Sequence, residues 1–335
     1  MKKSNSRTPK NIAITTGDPD GVGFEVAAQS LVEIGPQQNT FFFLFRDSKQ
    51  EKKQNRYFKM LDKKFARLTF KTVQAALAFY DLLKQANSLD SNFLFDLALE
   101  ESAADWVIMC TRLCHVGHFT SLVTGPLSKT LIKDSGYNYV GHTGIFRHYY
   151  PQSHFFMGFK GDHFNVVLMS DHVALKDVEK SVDNSNLLKS YFDACLNFQK
   201  CLAKPKKLAL LGLNPHAGEK GIIGGFEKKL LSSSWYKKSY AKKFVGPLAA
   251  DGAFLKKNWA QFSTYMALYH DQGLVPFKTI HGQDSGVHIT LGLPFVRTSV
   301  DHGTAKELFN KNRAVHLSMR DAILYNIRLI QGKKI

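Results

Sequence analysis

The chain contains 335 residues, of which 44% are apolar and 22% charged, and its formal net charge is +17 at pH 7. This length and composition exclude a disordered chain and predict one large domain, or two closely joined domains, with a substantial core. The short apolar run near the N-terminus is too brief for a secretory signal or a membrane span, so we expect a cytoplasmic protein.

Apolar runs that end in turn-forming residues alternate with segments of helical spacing. In chain order these are the strands "NIAITTGD" and "NTFFFLFRD", the helices "VQAALAFYDLLKQA" and "ALEESAADWVIMCTRLC", the strands "HFTSLVTGP" and "FNVVLMSD", the helix "VDNSNLLKSYFDACLNFQKCL", and the strands "KLALLGLNP", "TYMALYHD" and "VHITLGLP". Strands that are apolar throughout are typical of sheets covered by helices on both faces. The alternation predicts an α/β fold with a mostly parallel, doubly wound sheet.

Glycine, proline and functional side chains gather where these strands end. The clusters are "TTGDPDGVG", "VTGPLSK", "GHTG", "SDHVALKD", "GLNPHAGE", "YHDQG" and "RTSVDHGT". In open α/β sheets, ligands bind just beyond the carboxyl ends of the strands. The glycines also allow backbone N–H groups to approach an anion, although "GDPDGVGFE" departs in spacing from the dinucleotide-binding fingerprint.

Three of these clusters contain a histidine close behind an apolar strand, namely His172, His216 and His270. A fold that gathers the strand ends would bring the three imidazoles to one edge, where they would suit a divalent metal. The alternative is that each histidine caps a helix or packs in the core. The neighbouring Asp171 and Asp271 could bind the metal, orient an imidazole or cap a helix.

The lysines bear on whether the protein binds nucleic acid, and the cysteines bear on its compartment and on metal binding. Lysines cluster in "SKQEKKQNR", "KPKK" and "YKKSYAKK" without aromatic interleaving, which is typical of solvated helix ends and loops and disfavours a nucleic-acid function. Four unevenly spaced cysteines favour a reducing compartment over a disulfide framework. Cys110 and Cys114 with His115 could bind a metal, but their helical spacing in an apolar segment favours core packing.

The blocks "ITTGDPDGVGFE", "VTGPLSK", "GHTG", "LGLNPHAGE", "YHDQGL" and "VHITLGLPFVRTSVDHGTA" together resemble 4-hydroxythreonine-4-phosphate dehydrogenase of pyridoxal 5'-phosphate biosynthesis. They occur in the family's order from residue 12 to about residue 308. The resemblance implies two α/β domains around a central cleft with a mostly parallel sheet, similar to isocitrate and isopropylmalate dehydrogenases. We expect a disordered N-terminus over residues 1–11, one domain over 12–140 plus 300–335, and a second over 141–299 that carries the metal site, the substrate site and the dimer contacts.

The resemblance also implies roles for individual residues. The metal ligands are His172, His216 and His270, which hold zinc, magnesium or cobalt in a site shared between the subunits of a homodimer; the substrate-binding residues are His142, Thr143, Lys278, His288 and Arg297; the cofactor-binding residues are Asp301, His302 and Gly303. The cofactor is NAD or NADP. Asp251 or Asp271 takes the proton of the substrate hydroxyl, and Lys278 supplies fixed positive charge to the catalytic site.

The implied reaction oxidises 4-phosphohydroxy-L-threonine to 2-amino-3-oxo-4-phosphooxybutyrate, which loses carbon dioxide to give 3-amino-2-oxopropyl phosphate. The chain departs from the family pattern at "GDPDGVGFE" for GEPAGIGPE, "GHTG" for GHTE and "AADG" for PADT. It also has His288 for asparagine, "KELFN" after "DHGTA" and one inserted residue around "HGQDSGVH". His288 is expected to make substrate binding depend on pH.

These departures leave two alternatives open. One is a paralogous dehydrogenase of another phosphorylated four-carbon acid, such as 4-phosphothreonate or 4-phosphoerythronate, which "GHTG" and His288 favour. The other is a non-catalytic protein that binds an anionic partner. Retention of the three histidines together with Lys278 and Arg297 counts against the loss of catalysis.

Overall fold

The structure, a computed structural model, describes residues 8–282 and 286–335. The expected disorder of residues 1–7 and the expected insertion around "HGQDSGVH" lie outside the described residues. The described residues divide into two compact units. The first unit comprises residues up to 151 together with 294–332, and the second comprises 152–293 together with 333–335.

Strands and helices alternate along the described residues. The strands are β1 (Lys10–Thr15), β2 (Thr40–Asp47), β3 (Ala66–Phe70), β4 (Phe93–Leu99), β5 (Ser121–Thr124), β6 (Phe156–Lys160), β7 (Asn165–Leu168), β8 (Lys207–Leu211), β9 (Phe244–Leu248), β10 (Phe262–Ala267), β11 (Val287–Leu291) and β12 (Val296–Val300). The helices are α1 (Gly23–Ile34), α2 (Gln50–Lys53), α3 (Asn55–Lys64), α4 (Val73–Gln85), α5 (Ala103–His115), α6 (Lys129–Asp134), α7 (Gly141–Tyr149), α8 (Val178–Val182), α9 (Ser185–Cys201), α10 (Phe226–Ser232), α11 (Ser234–Ser239), α12 (Ala250–Ala253), α13 (His270–His281) and α14 (Leu317–Ile330). Among the described helices, none combines the length and the apolar character that a membrane crossing requires.

The first unit is built on six parallel strands in the order β3-β4-β2-β1-β5-β12. Both faces of β2 are buried, which agrees with the unbroken apolar run of its sequence. Because all six strands run in the same direction, their carboxyl ends meet at one edge. The loops that follow β1, β5 and β12 therefore lie side by side at that edge.

The second unit contains strands in the order β11-β6-β7-β10-β8-β9. Strands β7, β10, β8 and β9 are mutually parallel, whereas β6 runs antiparallel to both of its neighbours. The core of this unit packs Phe164, Tyr265 and Phe277 together beneath the sheet. The parallel group again gathers several carboxyl ends at one edge.

The unit boundaries differ from those expected from the sequence. Residues 141–151 and 294–299 belong to the first unit, because α7 packs against α5 and β12 pairs with β5. The last three residues belong to the second unit, where Ile335 N donates to Cys201 O at 2.8 Å.

The expected N-terminal disorder does not extend to residue 11 in the structure. Lys10 and Asn11 already belong to β1 and pair with β2. The Asn11 side chain donates to His118 O at 3.1 Å, and the backbone N of Asn11 donates to Thr120 Oγ1 at 3.2 Å. These bonds fix the first strand from its beginning.

Helix α5 begins later than the apolar pattern predicted. The Ser102 hydroxyl accepts from Asp105 N, and the Asp105 carboxylate accepts from Ser102 N, so that the pair forms a capping box. The preceding residues 97–99 pair with β2 instead of extending the helix. Cys110 and Cys114 face the core, and burial raises the pKa of both thiols, which confirms the packing interpretation of this pair.

Glycines bring the loops after β1 and β5 into close backbone contact. A Cβ on Gly17 would lie 1.9 Å from Pro126 O, and Gly17 has a φ of +76°. A Cβ on Gly23 would lie 1.7 Å from Thr16 O. No side chain can occupy these positions unless the backbone moves, so the glycines of "GDPDGVG" are required by packing.

We therefore expect Gly23→Ala to destabilise the protein although alanine favours helices. Overpacking against a backbone oxygen costs about 1–3 kcal/mol and occasionally more. Gly252→Ala is the matched control, because a Cβ there meets nothing within 4 Å and helix α12 accommodates alanine. The control should stabilise by about 0.4–1 kcal/mol. Urea unfolding checks both values, and equal effects of the two substitutions would contradict the packing argument.

Candidate functional site

The three histidines singled out in the sequence follow adjacent parallel strands of the second unit. His172 follows β7, His270 follows β10 and His216 follows β8. These strands lie in the order β7-β10-β8 and neighbouring strands are about 4.8 Å apart, so three successive strand ends span roughly 10 Å. Asp251 follows β9, the next parallel strand along the same edge.

His172 and His270 form a close pair. Their ring centroids are 5.5 Å apart with an interplanar angle of 36°. A cation bound at about 2 Å from a nitrogen of one ring would lie near the other ring. His270 Nδ1 lies 2.7 Å from Asp271 Oδ1. Because a carboxylate only accepts, Nδ1 donates and Nε2 becomes the nitrogen that can bind a metal.

His216 lies on a different kind of backbone. It is the first of a run of residues with positive φ, from His216 to Lys220, beyond the end of β8. Among the residues that the structure describes, no group of three His, Cys, Asp or Glu side chains could hold a metal ion. One chain therefore brings together two of the three predicted ligands and leaves His216 outside that pair.

Gln272 links the strand ends that carry His216 and His270. Its Oε1 accepts from Leu268 N at 2.8 Å and its Nε2 donates to Gly212 O at 2.6 Å. The side chain is buried, so both bonds are shielded from water. The side-by-side His, Asp and Gln of "YHDQG" thus have separate tasks, since Asp271 orients the imidazole and Gln272 ties β10 to β8.

The other predicted residues of the second unit differ in exposure. Asp251 and Asp271 are exposed, in the first turns of α12 and α13. Lys278 is also exposed and lies eight residues after His270 on α13, about 12 Å along the helix axis. His288 is buried on β11, and its ring stacks on Phe159 of β6 with centroids 5.1 Å apart. His288 therefore has a packing contact within the sheet.

In the first unit, Arg297 is buried on β12, which pairs with β5. Its Nη2 donates to Thr124 Oγ1 at 2.5 Å, and its guanidinium carbon lies 5.5 Å from the Phe146 ring centroid. Burial lowers the pKa of Arg297 to about 9. Such a shift means that the charged form is poorly solvated, so an anion placed against the guanidinium would be strongly attracted.

His142 and Thr143 lie in the first turn of α7. Burial, and secondarily the charge of Arg297, lower the pKa of His142 well below its usual value. Its Nε2 is buried and has no hydrogen-bond partner within residues 8–282 and 286–335. A buried polar atom without a partner is costly, so His142 Nε2 is a candidate contact for a ligand.

The expected cofactor loop begins where β12 ends. Asp301 N donates to Ser318 Oγ at 3.1 Å, and His302 Nδ1 lies 2.8 Å from Gly303 O. A Cβ on Gly303 would meet nothing within 4 Å, so a ligand can approach the backbone there. Lys306 follows in the same segment.

Lys306 connects this loop to the glycine-rich loop after β1. Its Nζ lies 2.9 Å from Asp20 Oδ2 and 3.2 Å from the buried Asp18 Oδ2. Hydrogen bonds to Asp20 and then to Asp18 raise the pKa of Lys306. Asp18, Asp20 and Lys306 all lie in blocks where the sequence departs from the family pattern, so three separate departures form one ion-pair network.

Sequence reasoning missed the residues that hold the loops in place. Gln272 and Glu227 are buried polar side chains that bond to backbone atoms of the strand ends. The adjacency of Gln272 to His270 was a usable signal. Glu227 carried no such signal, because it lies in a lysine-rich helical segment eleven residues after His216.

We predict that Arg297→Met stabilises the ligand-free protein and removes an anion site. Below about pH 9 the guanidinium is charged in the folded and the unfolded state, and burial penalises only the folded one. Relief of that penalty should contribute about 1–4 kcal/mol. Thermal unfolding with and without inorganic phosphate checks this, with the exposed Arg147→Met as control. If phosphate stabilised Arg297→Met as much as the parent, this assignment would be wrong.

Comparison with known proteins places these observations in a family context. A family model described as "Pyridoxal phosphate biosynthetic protein PdxA" matches residues 49–326. Over 330 residues, covering 97% of both chains, the sequence is 30% identical to the 4-hydroxythreonine-4-phosphate dehydrogenase of Geobacter metallireducens.

Solved structures share the fold. The 4-hydroxythreonine-4-phosphate dehydrogenase of Klebsiella pneumoniae superimposes with a TM-score of 0.72 at 24% identity, covering 97% of this chain and 99% of the other. Isocitrate dehydrogenase of Methylococcus capsulatus gives a TM-score of 0.50 at 13% identity, covering 96% and 86%. The predicted fold class, α/β with a mostly parallel sheet of the isocitrate dehydrogenase type, is confirmed.

Proposed function

Because the chain belongs to the family of the pyridoxal phosphate biosynthetic protein PdxA, we propose that it oxidises 4-phosphohydroxy-L-threonine with NAD or NADP and a divalent metal. The product, 2-amino-3-oxo-4-phosphooxybutyrate, is a β-keto acid that loses carbon dioxide to give 3-amino-2-oxopropyl phosphate. The observation that carries the proposal is the placement of three histidines after three adjacent parallel strands, with two rings already 5.5 Å apart.

The donor set fits a divalent metal of the zinc, magnesium or cobalt class, with zinc and cobalt the better match to imidazole nitrogen. His172 and His270 would hold the ion from one chain, and the Asp271 carboxylate fixes the tautomer of His270 that such binding needs. When bound, the ion would polarise the substrate hydroxyl and lower its pKa. His216 completes the set from the partner subunit in this proposal.

Residues of the chain supply the remaining functions. Asp271 is engaged with His270, so we assign the hydroxyl proton to Asp251, which follows the neighbouring strand β9 and is exposed. Lys278 lies on the same helix as His270, eight residues further along the chain. Lys278 in the second unit and Arg297 in the first are each a cation of the kind that phosphate and carboxylate groups favour.

In the first unit, the residues proposed to contact substrate and nicotinamide cofactor follow β5 and β12. His142 Nε2 lacks a partner in the described part of the chain, and Thr143 is its neighbour in the same helical turn. Asp301, His302 and the open space beside Gly303 form the proposed cofactor loop. The cofactor would accept the hydride from the carbon that bears the substrate hydroxyl.

Exposed apolar residues support a homodimer with shared metal sites. Each metal-binding segment presents at least one large apolar side chain to solvent: Leu175 near His172, Ile222 near His216 and Val275 near His270 are 74%, 82% and 61% exposed. Apolar exposure that recurs beside every proposed ligand is typical of a surface that a partner covers. A symmetric partner would bury all three segments and add the missing imidazole.

A paralogous dehydrogenase of 4-phosphothreonate or 4-phosphoerythronate is the second candidate. A Cβ on Gly144 would lie 3.3 Å from Tyr139 Cβ, so the backbone of the "GHTG" segment packs closely on Tyr139. The carboxylate that family members usually place at this position is absent, and the substrate-facing turn of α7 has therefore changed. A change beside His142 and Thr143 would alter which substrate amine or hydroxyl is recognised.

We predict that His216→Ala loses the metal and turnover while the protein stays folded. The loss of metal affinity should exceed the 10–100-fold that outer-shell changes cause. Metal content and reduction of NAD and NADP with the three phosphorylated acids, with and without a chelator, measure this. His118→Ala is the control, because the exposed His118 lies in the first unit, before β5 begins. A His216→Ala protein with full activity would contradict the metal assignment, and turnover of only a paralogue's substrate would select the second candidate.

A second prediction concerns the dimer. Ile222→Lys should give a monomer that retains its fold but loses the metal, because a lysine at a buried interface is costly. Leu82→Lys on α4, where Leu82 is 59% exposed, is the control and should change neither property. Light scattering after gel filtration gives the mass. A parent that is monomeric and still binds the metal tightly would overturn the shared site.

A further inference from the structure

The loop that carries His216 has an unfavourable backbone. Five successive residues, His216 to Lys220, have φ between +44° and +75°, and only Gly218 among them is a glycine. A left-handed conformation costs an L-residue with a side chain roughly 1–2 kcal/mol. Such a run persists only where surrounding contacts over-determine it, and strain of this kind gathers at functional sites.

The carboxylate of Glu227 fills the concave side of this loop. It is 2% exposed, and it accepts from Asn214 N at 2.8 Å and from Asn214 Nδ2 at 3.0 Å. A Cβ on Gly218 would lie 2.6 Å from Glu227 Oε2, and one on Gly212 would lie 3.3 Å from Oε1. Glu227 thus contacts the loop before and after His216.

Two further contacts hold the loop that carries His216 in place. The Asn214 side chain packs on Gly224, where a Cβ would lie 2.6 Å from Nδ2. Gln272 holds Gly212 O at the base of the loop and bonds the strand end that leads to His270. The loop is therefore fixed at its base by Gln272 and at its curve by Glu227.

We propose that Glu227 is the positioning residue that holds His216 in the orientation required for the metal. This inference rests on the proposed function, since it assumes that His216 is a ligand. Glu227 acts through the backbone of the loop and through Asn214, and it touches neither the substrate nor the cofactor.

The test compares three variants of the full-length protein. Glu227→Gln keeps one acceptor for Asn214 N but turns an amide toward the Asn214 amide, so one hydrogen bond is lost or the Asn214 amide must flip. The pair Asn214→Asp with Glu227→Gln restores that bond with donor and acceptor exchanged. Glu25→Gln is the control, because Glu25 is equally buried at the start of α1 in the first unit.

Two readouts are needed. Cobalt affinity, measured by competition with a chromophoric chelator, should fall about 10–100-fold in Glu227→Gln and recover in the double variant. Hydrogen exchange of the metal-free protein should accelerate over residues 212–224 in Glu227→Gln alone. Glu25→Gln should leave both unchanged. Loss of affinity without faster exchange, or no recovery in the double variant, would overturn the positioning role.

The two proposals fail in different ways. If His216→Ala binds cobalt as well as the parent, the proposed function fails whatever Glu227 does. If His216→Ala loses cobalt while Glu227→Gln retains both its affinity and its exchange protection, the metal assignment stands and the positioning role is wrong.

Discussion

The hydrogen bonds of Gln272 are the constraint on which the candidate metal site depends. They lock the end of β10 to the end of β8, so the chain after each strand starts from a fixed point. From these points, Asp271 orients the His270 ring and Glu227 shapes the loop that presents His216. β7 pairs directly with β10, and the His172 ring that follows it lies beside the ring of His270.

Each unit contains groups whose burial or backbone conformation costs free energy when no ligand is bound. In the first unit Arg297 is buried with a lowered pKa, and His142 keeps a buried nitrogen without a partner among the described residues. In the second, a left-handed run of side-chain-bearing residues is held by a buried carboxylate. Strain and desolvation of this kind are expected where binding recovers the free energy. The basic charge of the chain suits an anionic substrate for the same reason.

The sequence predicted seven of the strands, because an unbroken apolar run that ends in turn formers is a strong signal for a covered strand. Strands β3, β6 and β9, which carry partly exposed positions, were missed, and so were the largely buried strands β4 and β12. Helix α13 was also missed, because Gly273 and Pro276 within it disfavour a helix. Contacts with the rest of the fold, and not the local sequence pattern, determine the secondary structure of these segments.

Part of the candidate site was likewise predictable from the sequence, and part was not. The placement of His172, His216 and His270 after parallel strands was predictable, and within one chain the rings of His172 and His270 lie together. The left-handed course of residues 216–220 was not predictable, since it depends on Glu227, which lies on another element. The stacking of His288 on Phe159 depends on the antiparallel register of β6 and β11, which the sequence pattern did not indicate.

X-ray absorption spectroscopy of the cobalt-loaded protein tests the central claim most directly, because it counts the imidazoles around the ion. The account predicts one tightly bound ion per subunit with scattering from three imidazole rings. An ion with fewer than three imidazoles, or a protein that retains no stoichiometric metal, would contradict it.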